Sequence, residues 1–192
     1  MASIRTATPE DAASIARVQV ETWNTTYRGI VPDSYLANLS VDQRTLRWRE
    51  ILSSGGHTAV AEFDGQVAGF ISGGPIRDPI DHYGAELYAI YLLEAFQRKG
   101  MGTALLVELA CRLSEEGFGN LAVWVFEANP AVRFYAETGA IRIGAKEHEI
   151  EGVRLPLVAY GWPSLKRVLA DLRHHAAAGR GQLGHPAVAG GQ

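Results

Sequence analysis

The chain has 192 residues, 47% of them hydrophobic and 20% charged, with a formal net charge of -3. That length suits one domain with a substantial core and is short for two, and so mild a charge, without a long basic run, gives no electrostatic support to a nucleic-acid or anionic-membrane partner. The single cysteine, Cys111, excludes an intrachain disulfide and fits a reducing compartment, and with neither an apolar signal core nor a membrane-length apolar run the chain is expected to be cytoplasmic.

Ile4 to Ala7 reads as a short strand. Thr8-Pro9-Glu10-Asp11 then combines an N-cap, a first-turn proline and two acids, and Ile15, Val18, Val20 and Trp23 recur mostly at helical spacing up to Thr26. A second helical region runs from Pro32 through Leu39 and again from Val41 to Ser53, broken near Ser40, which can cap the next turn. His57 to Phe63 and Gln66 to Gly73 are strands around the hairpin signal Asp64-Gly65, followed by a loop rich in Pro, Gly and Asp up to Gly84. Ala85 to Leu93 is a further strand. Beyond the turn that follows it, Leu105, Leu106, Leu109, Ala110 and Leu113 form an apolar helical stripe. Leu121 to Phe126 is a continuous apolar run, as expected of a strand buried on both faces. Asn129-Pro130 starts a short helix to Thr138, and Ile141 to Ile150 with Val153 to Tyr160 make a hairpin around Glu151-Gly152. This domain spans residues 1–163; residues 164–175 read as an appended amphipathic helix, and the Ala/Gly/His/Pro-rich residues 176–192 are expected to be disordered.

The most informative stretch is Gln97-Arg98-Lys99-Gly100-Met101-Gly102-Thr103-Ala104, which joins an apolar strand to an amphipathic helix through a cationic, glycine-bearing turn. The free N–H groups and positive dipole end of a first helical turn seat an anion, glycines allow close approach, and Arg98 and Lys99 add charge at the mouth. A Walker loop is absent, because no Gly-x-x-x-x-Gly-Lys-Ser/Thr occurs. A dinucleotide fingerprint is weak: Leu105 stands where a third glycine belongs, and no obvious βαβ unit surrounds it.

The pattern Gln97-Arg98-Lys99-Gly100-Met101-Gly102 resembles the coenzyme A pyrophosphate loop of the GCN5-related N-acetyltransferase superfamily. Glu127-Ala128-Asn129-Pro130-Ala131-Val132-Arg133-Phe134-Tyr135 looks like that family's asparagine-to-tyrosine segment, with Val132 where an alanine is usual. Trp23 to Ile30 is similar to the first-helix segment of many bacterial members, and the order of elements agrees over residues 4 to 160. Gly139-Ala140 departs from the family's common Gly-Phe. The resemblance implies a mixed α/β fold: a central twisted mixed sheet of about six to seven strands flanked by about four helices. It also implies an acetyl-CoA-dependent N-acetyltransferase, with acetyl-CoA as co-substrate and no metal, that acts on a primary amine of a small molecule or peptide by direct attack on the thioester. Family habit alone suggests a homodimer.

In the same reading, Gln97, Arg98, Lys99, Gly100, Met101, Gly102 and Thr103 hold the cofactor, and the main chain of Tyr91, Leu92 and Leu93 pairs with the pantetheine arm like an added strand. Asn129 caps the short helix and reaches toward the cofactor, although capping alone would explain it, while Tyr135 is the general acid for the coenzyme A sulfur, with core packing beside Phe134 as the competing explanation. An attacking ammonium must lose a proton, so a base is needed. By the period of two, Glu86, Tyr88 and Ile90 share a strand face beside the expected thioester; Glu86 is the candidate base through water, and an ordinary salt-bridged glutamate is the competing explanation. His82 is a second candidate base or simply an exposed loop histidine. Trp23, Tyr27 and Tyr35 line an acceptor pocket or belong to the core. His174, His175 and His185 suggest no metal geometry. Two other functions compete, a non-catalytic acyl-CoA sensor on the same fold and a nucleotide-binding regulatory module. The acceptor itself is left open, resting on loops 23–40, 74–84 and 146–154.

Overall fold

The computed structural model describes residues 2–172. Seven strands form one sheet: β1 (Ala2–Thr6), β2 (His57–Phe63), β3 (Gln66–Pro75), β4 (Ala85–Leu92), β5 (Leu121–Phe126), β6 (Ile141–Ile150) and β7 (Val153–Trp162), in the order β1-β2-β3-β4-β5-β7-β6. Neighbours are antiparallel except β4 and β5, which run parallel. The helices are α1 (Ala12–Thr26), α2 (Asp33–Ala37), α3 (Val41–Ser53), α4 (Met101–Glu115) and α5 (Ala131–Glu137), with a further one, α6, over 165–172. As the sequence suggests, the second helical region divides at Ser40 and the appended segment is itself helical. Residues 173–192, including the expected disordered tail and the histidine cluster, lie outside the described residues.

Local chemistry accounts for the element ends. Asp64-Gly65 and Glu151-Gly152 all have positive φ (48°, 79°, 49° and 79°), the conformation that closes two-residue hairpins with the twist of the flanking strands. Ser40 Oγ accepts from the Gln43 amide at 3.3 Å and caps α3. Ahead of α1, the Thr8 amide donates to Asp11 Oδ2 at 2.7 Å.

Helices cover both faces of the sheet. Leu105, Leu106, Leu109 and Leu113 of α4 pack with Ile71, Leu87, Val123 and Val125 on one face, joined by Leu165 of α6. On the other, Ile15 and Val18 of α1 and Trp48 of α3 cover Val60, Val67 and Phe70. Each such side chain, fully buried, contributes about 1.5–3 kcal/mol. A third cluster gathers the end of α1, α2, the end of β5 and the β6–β7 tip, including Tyr27, Leu36, Phe126 and Ile150. Trp162 fills the space beneath the Gly139-Ala140 turn, its indole N–H donating to Thr138 O at 3.0 Å. Among the described residues no helix is long and apolar enough to cross a membrane.

Two sequence expectations change. The parallel pairing of β4 and β5 across α4 makes the Gly loop part of a βαβ unit after all, because which strands pair is a tertiary outcome that neither strand's own sequence records. β4 also carries a bulge: Ser72 pairs with Ala89 and Gly73 with Leu87, leaving Tyr88 as the extra residue. Its effect is to exchange faces. Ala85 and Leu87 pack toward α4, as do Ile90 and Leu92 beyond the bulge, whereas Ala89, Tyr91 and Leu93 face α1 and α3. Glu86 and Tyr88 therefore share a face, and Ile90 does not, because one inserted residue reverses the alternation.

Candidate active site

β4 and β5 pair at one register position, Glu86 with Ala122, although β4 continues to Leu92 and β5 to Phe126. The strands therefore part beyond Glu86 and leave a wedge in the sheet. The Leu93 amide donates to Ala68 O at 2.9 Å, so the main chain there turns to β3, and antiparallel alternation turns Tyr91 the same way. Of the three residues expected to pair with an extended ligand, Leu92 is the one whose main chain faces the wedge, as does that of Ile90. Its carbonyl accepts from Gln97 Nε2 at 2.9 Å.

At the open end of the wedge, α4 begins. Arg98 (φ 56°) and Gly100 (φ 79°) are both left-handed, which curls the loop before the helix. No amide from Arg98 to Thr103 finds an acceptor among the described residues; the first bond back along the helix is from Ala104 to Gly100 O at 3.0 Å. The result is an anion seat built from main chain, with Arg98 and Lys99 exposed beside it. The glycines serve different purposes. Gly100 is required by its φ, since a Cβ there would meet nothing, while a Cβ on Gly102 would come within 3.4 Å of Phe134 and 3.6 Å of Leu92.

The other wall of the wedge leads from β5 into α5. Asn129 Oδ1 accepts from the Ala131 amide at 2.8 Å, starting α5, and Asn129 Nδ2 donates to the Tyr27 hydroxyl at 2.9 Å. The neighbouring Tyr91 hydroxyl accepts from Trp23 Nε1 at 3.0 Å. Tyr135 is 4% exposed and lies edge-on to Trp162 and Phe134. Its hydroxyl makes no hydrogen bond among the described residues. Burial first, and the neighbouring Tyr91 second, push its pKa well above the usual phenol value. The sequence thus placed Tyr27 and Asn129 in separate roles that the fold joins in one network. Trp23 stands 4.4 Å from Tyr27 and 5.6 Å from Tyr35 between ring centres, so these aromatics form one packed wall.

Glu86 lies at the apex of the wedge, 6% exposed. Its carboxylate accepts from Arg77 Nη2 at 2.9 Å, the Arg77 amide at 2.9 Å and, weakly, Arg77 Nε at 3.5 Å. The Arg77 guanidinium sits 3.5 Å over the Tyr88 ring. Sequence reasoning missed Arg77, which stands in a loop without period; the one available signal was that a glutamate inside an apolar strand needs a cation. His82 is exposed, bonded to Asp81 at 2.8 Å and stacked on Tyr83. Among the described residues no cluster of His, Cys, Asp and Glu could hold a metal.

Comparison with known proteins gives concordant results. The model of the acetyltransferase (GNAT) family matches residues 20–140. The uncharacterized N-acetyltransferase YuaI of Bacillus subtilis (strain 168) is 44% identical over 165 residues, which is 86% of this chain and 95% of that protein. The PaiA N-acetyltransferase of Thermoplasma acidophilum, solved in complex with coenzyme A, superposes with a TM-score of 0.63 at 22% identity, over 84% of this chain and 99% of that one. The ribosomal-protein-alanine N-acetyltransferase of Brucella melitensis gives 0.67 at 23% identity, over 84% and 99%.

Proposed function

The chain belongs to the acetyltransferase (GNAT) family, and on that premise we propose that it transfers the acetyl group of acetyl-CoA to a primary amine of a small molecule or peptide by direct attack on the thioester. The observation that carries this reading is the wedge between β4 and β5, paired at Glu86 and Ala122 and open beyond, leading to the free amides at the head of α4. Acetyl-CoA supplies an activated acyl group whose leaving atom is a sulfur.

The residues divide the remaining work. The amides from Arg98 to Thr103 hold the pyrophosphate, with Gln97, Arg98 and Lys99 at the rim, and the main chain of Leu92 aligns the pantetheine arm as an added strand would. Tyr91 contributes through its hydroxyl network rather than its main chain. Glu86 receives, through water, the proton lost by the attacking amine; its Oε1 accepts from Arg77 Nη2 alone and keeps a second lone pair, whereas Oε2 takes the Arg77 amide and, weakly, Nε. As the amine's lone pair forms the C–N bond and the C–S bond breaks, the sulfur takes the bonding pair. Tyr135 then gives its proton to that sulfur and is reprotonated from solvent. Burial keeps Tyr135 protonated until it is needed. Trp23, Tyr27 and Tyr35 form the acceptor-side wall, with Asn129 holding Tyr27 in place.

The test is release of free thiol on mixing the protein and acetyl-CoA with a panel of amines, peptides and aminoglycosides, alongside melting with and without acetyl-CoA. Thiol release with at least one class is expected, together with a rise in melting temperature. No release and no rise would overturn the proposal.

A further inference from the structure

We propose that the acceptor carries a carboxylate beside its amine, held by Arg77 and the indole N–H of Trp124, with Lys146 at the edge, at the apex of the β4–β5 wedge. This names the substrate class for the transfer proposed above and rests on it for the position of the reaction.

Register brings the residues together. Glu86 faces Ala122, and both strands alternate, so Glu86 and Tyr88 of β4 lie beside Ala122 and Trp124 of β5 on the face away from α4. Each aromatic ring carries a cation: the Arg77 guanidinium at 3.5 Å over Tyr88, and the Lys146 ammonium at 4.1 Å over Trp124. Lys146 also pairs with Asp78, the residue after Arg77, so the loop and β6 close one charged patch.

Within that patch two donor groups have no acceptor. Arg77 uses Nη2, its amide and weakly Nε on Glu86, and Nη1 donates to nothing among the described residues. Neutralising a buried glutamate accounts for the inner edge of Arg77, but its side chain is 60% exposed against 7% for Glu86, so the outer edge faces solvent. Glu86 and Tyr88 hold the planar fork still, the preorganisation that bidentate carboxylate recognition needs. The second donor is Trp124 Nε1, buried and without an acceptor. A buried N–H left unsatisfied is destabilising unless something accepts from it. An anionic oxygen satisfies it and Arg77 Nη1 alike, and it leaves the amine of the same molecule near Glu86 and the wedge.

The experiment uses the full chain and matched acceptors that differ at the carboxylate: leucine, leucinamide and 3-methylbutylamine, with a second set built on phenylalanine. Values of kcat/KM are compared after correction for the fraction of free amine. The amino acids are expected to exceed their amides by roughly 10- to 100-fold, the range of hydrogen bonds to a charged group. Arg77→Lys and Trp124→Phe should each reduce that preference several-fold, chiefly by raising KM for the amino acid. Retention of the rise in melting temperature with coenzyme A shows that each variant is folded. Equal use of amino acids and amides, or a preference untouched in both variants, overturns the proposal while leaving acetyl transfer standing. If no acceptor releases thiol, titration of the amino acids into the coenzyme A-loaded protein decides separately. Binding weakened by Arg77→Lys supports the carboxylate site although transfer fails; no binding, or binding that Arg77→Lys leaves unchanged, overturns it.

Discussion

Tyr135 combines a free hydroxyl, deep burial and a raised pKa, and these have separable consequences. Tyr135→Phe keeps the ring against Trp162 and Phe134 while removing the proton. Turnover should fall about 100-fold, the scale of general-acid catalysis, with KM for acetyl-CoA changed less than about twofold; an equal fall in cofactor affinity would assign the hydroxyl to binding instead. Because burial disfavours the phenolate, the acid form persists through the pH range in which an ordinary tyrosine titrates. The rate should therefore show no decline due to Tyr135 up to about pH 10. The placement of Tyr135 and Asn129 at the short helix was legible from the sequence, since its Asn-Pro start sets their spacing. The pairing of Asn129 with Tyr27, remote in sequence, was not, because nothing local records which distant hydroxyl a buried amide will meet.

At the scale of elements, turns and caps could be read and register could not. Ser40, Asp64-Gly65 and Glu151-Gly152 act through their own backbone preferences and occupy the positions expected of them. The bulge at Tyr88 follows instead from how β3 and β4 pair, and it moves Ile90 off the face of Glu86. The head of α4 lies between these cases: its glycines were evident, but their separate purposes depended on φ at Gly100 and on Phe134 beside Gly102. Gly100→Ala places a Cβ in the left-handed region, at a cost of about 1–2 kcal/mol. Melting temperature should drop by about 2–8 °C, and the stabilisation by acetyl-CoA should shrink as the amide nest reshapes. An unchanged acetyl-CoA shift would detach the nest from cofactor binding.

The whole molecule is held at its N-terminal corner by Arg5, which bridges Asp11 at 2.7 and 2.8 Å and Glu62 at 2.7 Å, tying β1 to the start of α1 and to β2. The bonds from Arg5 hold the Asp11 carboxyl below its ordinary value of 3.8. The folded state thus keeps this carboxylate charged at a pH where the unfolded chain has taken up the proton. Its stabilisation is complete above the ordinary value and disappears as pH falls through the lower folded value. Asp11→Asn should lower the urea midpoint at neutral pH, with the difference from the parent closing on acidification. At the opposite end, Tyr83 lies against Gly161 so tightly that a Cβ would come within 2.4 Å of its ring. Gly161→Ala should therefore displace loop 76–84, reducing kcat/KM for the acceptor on the order of tenfold while acetyl-CoA still raises the melting temperature. By itself the sequence determined much of the donor side: the order of elements along the chain, the capped helices and a glycine-bearing cationic turn are local patterns, set by backbone propensity and hydrophobic period. Only the tertiary structure decided the proposed acceptor side, where Glu86 and Tyr88 of β4 meet Arg77 of the preceding loop, Trp124 of β5 and Lys146 of β6. Their meeting depends on sheet register and on one bulge, and a reversal of faces by a single residue leaves no trace in the periodicity of either strand.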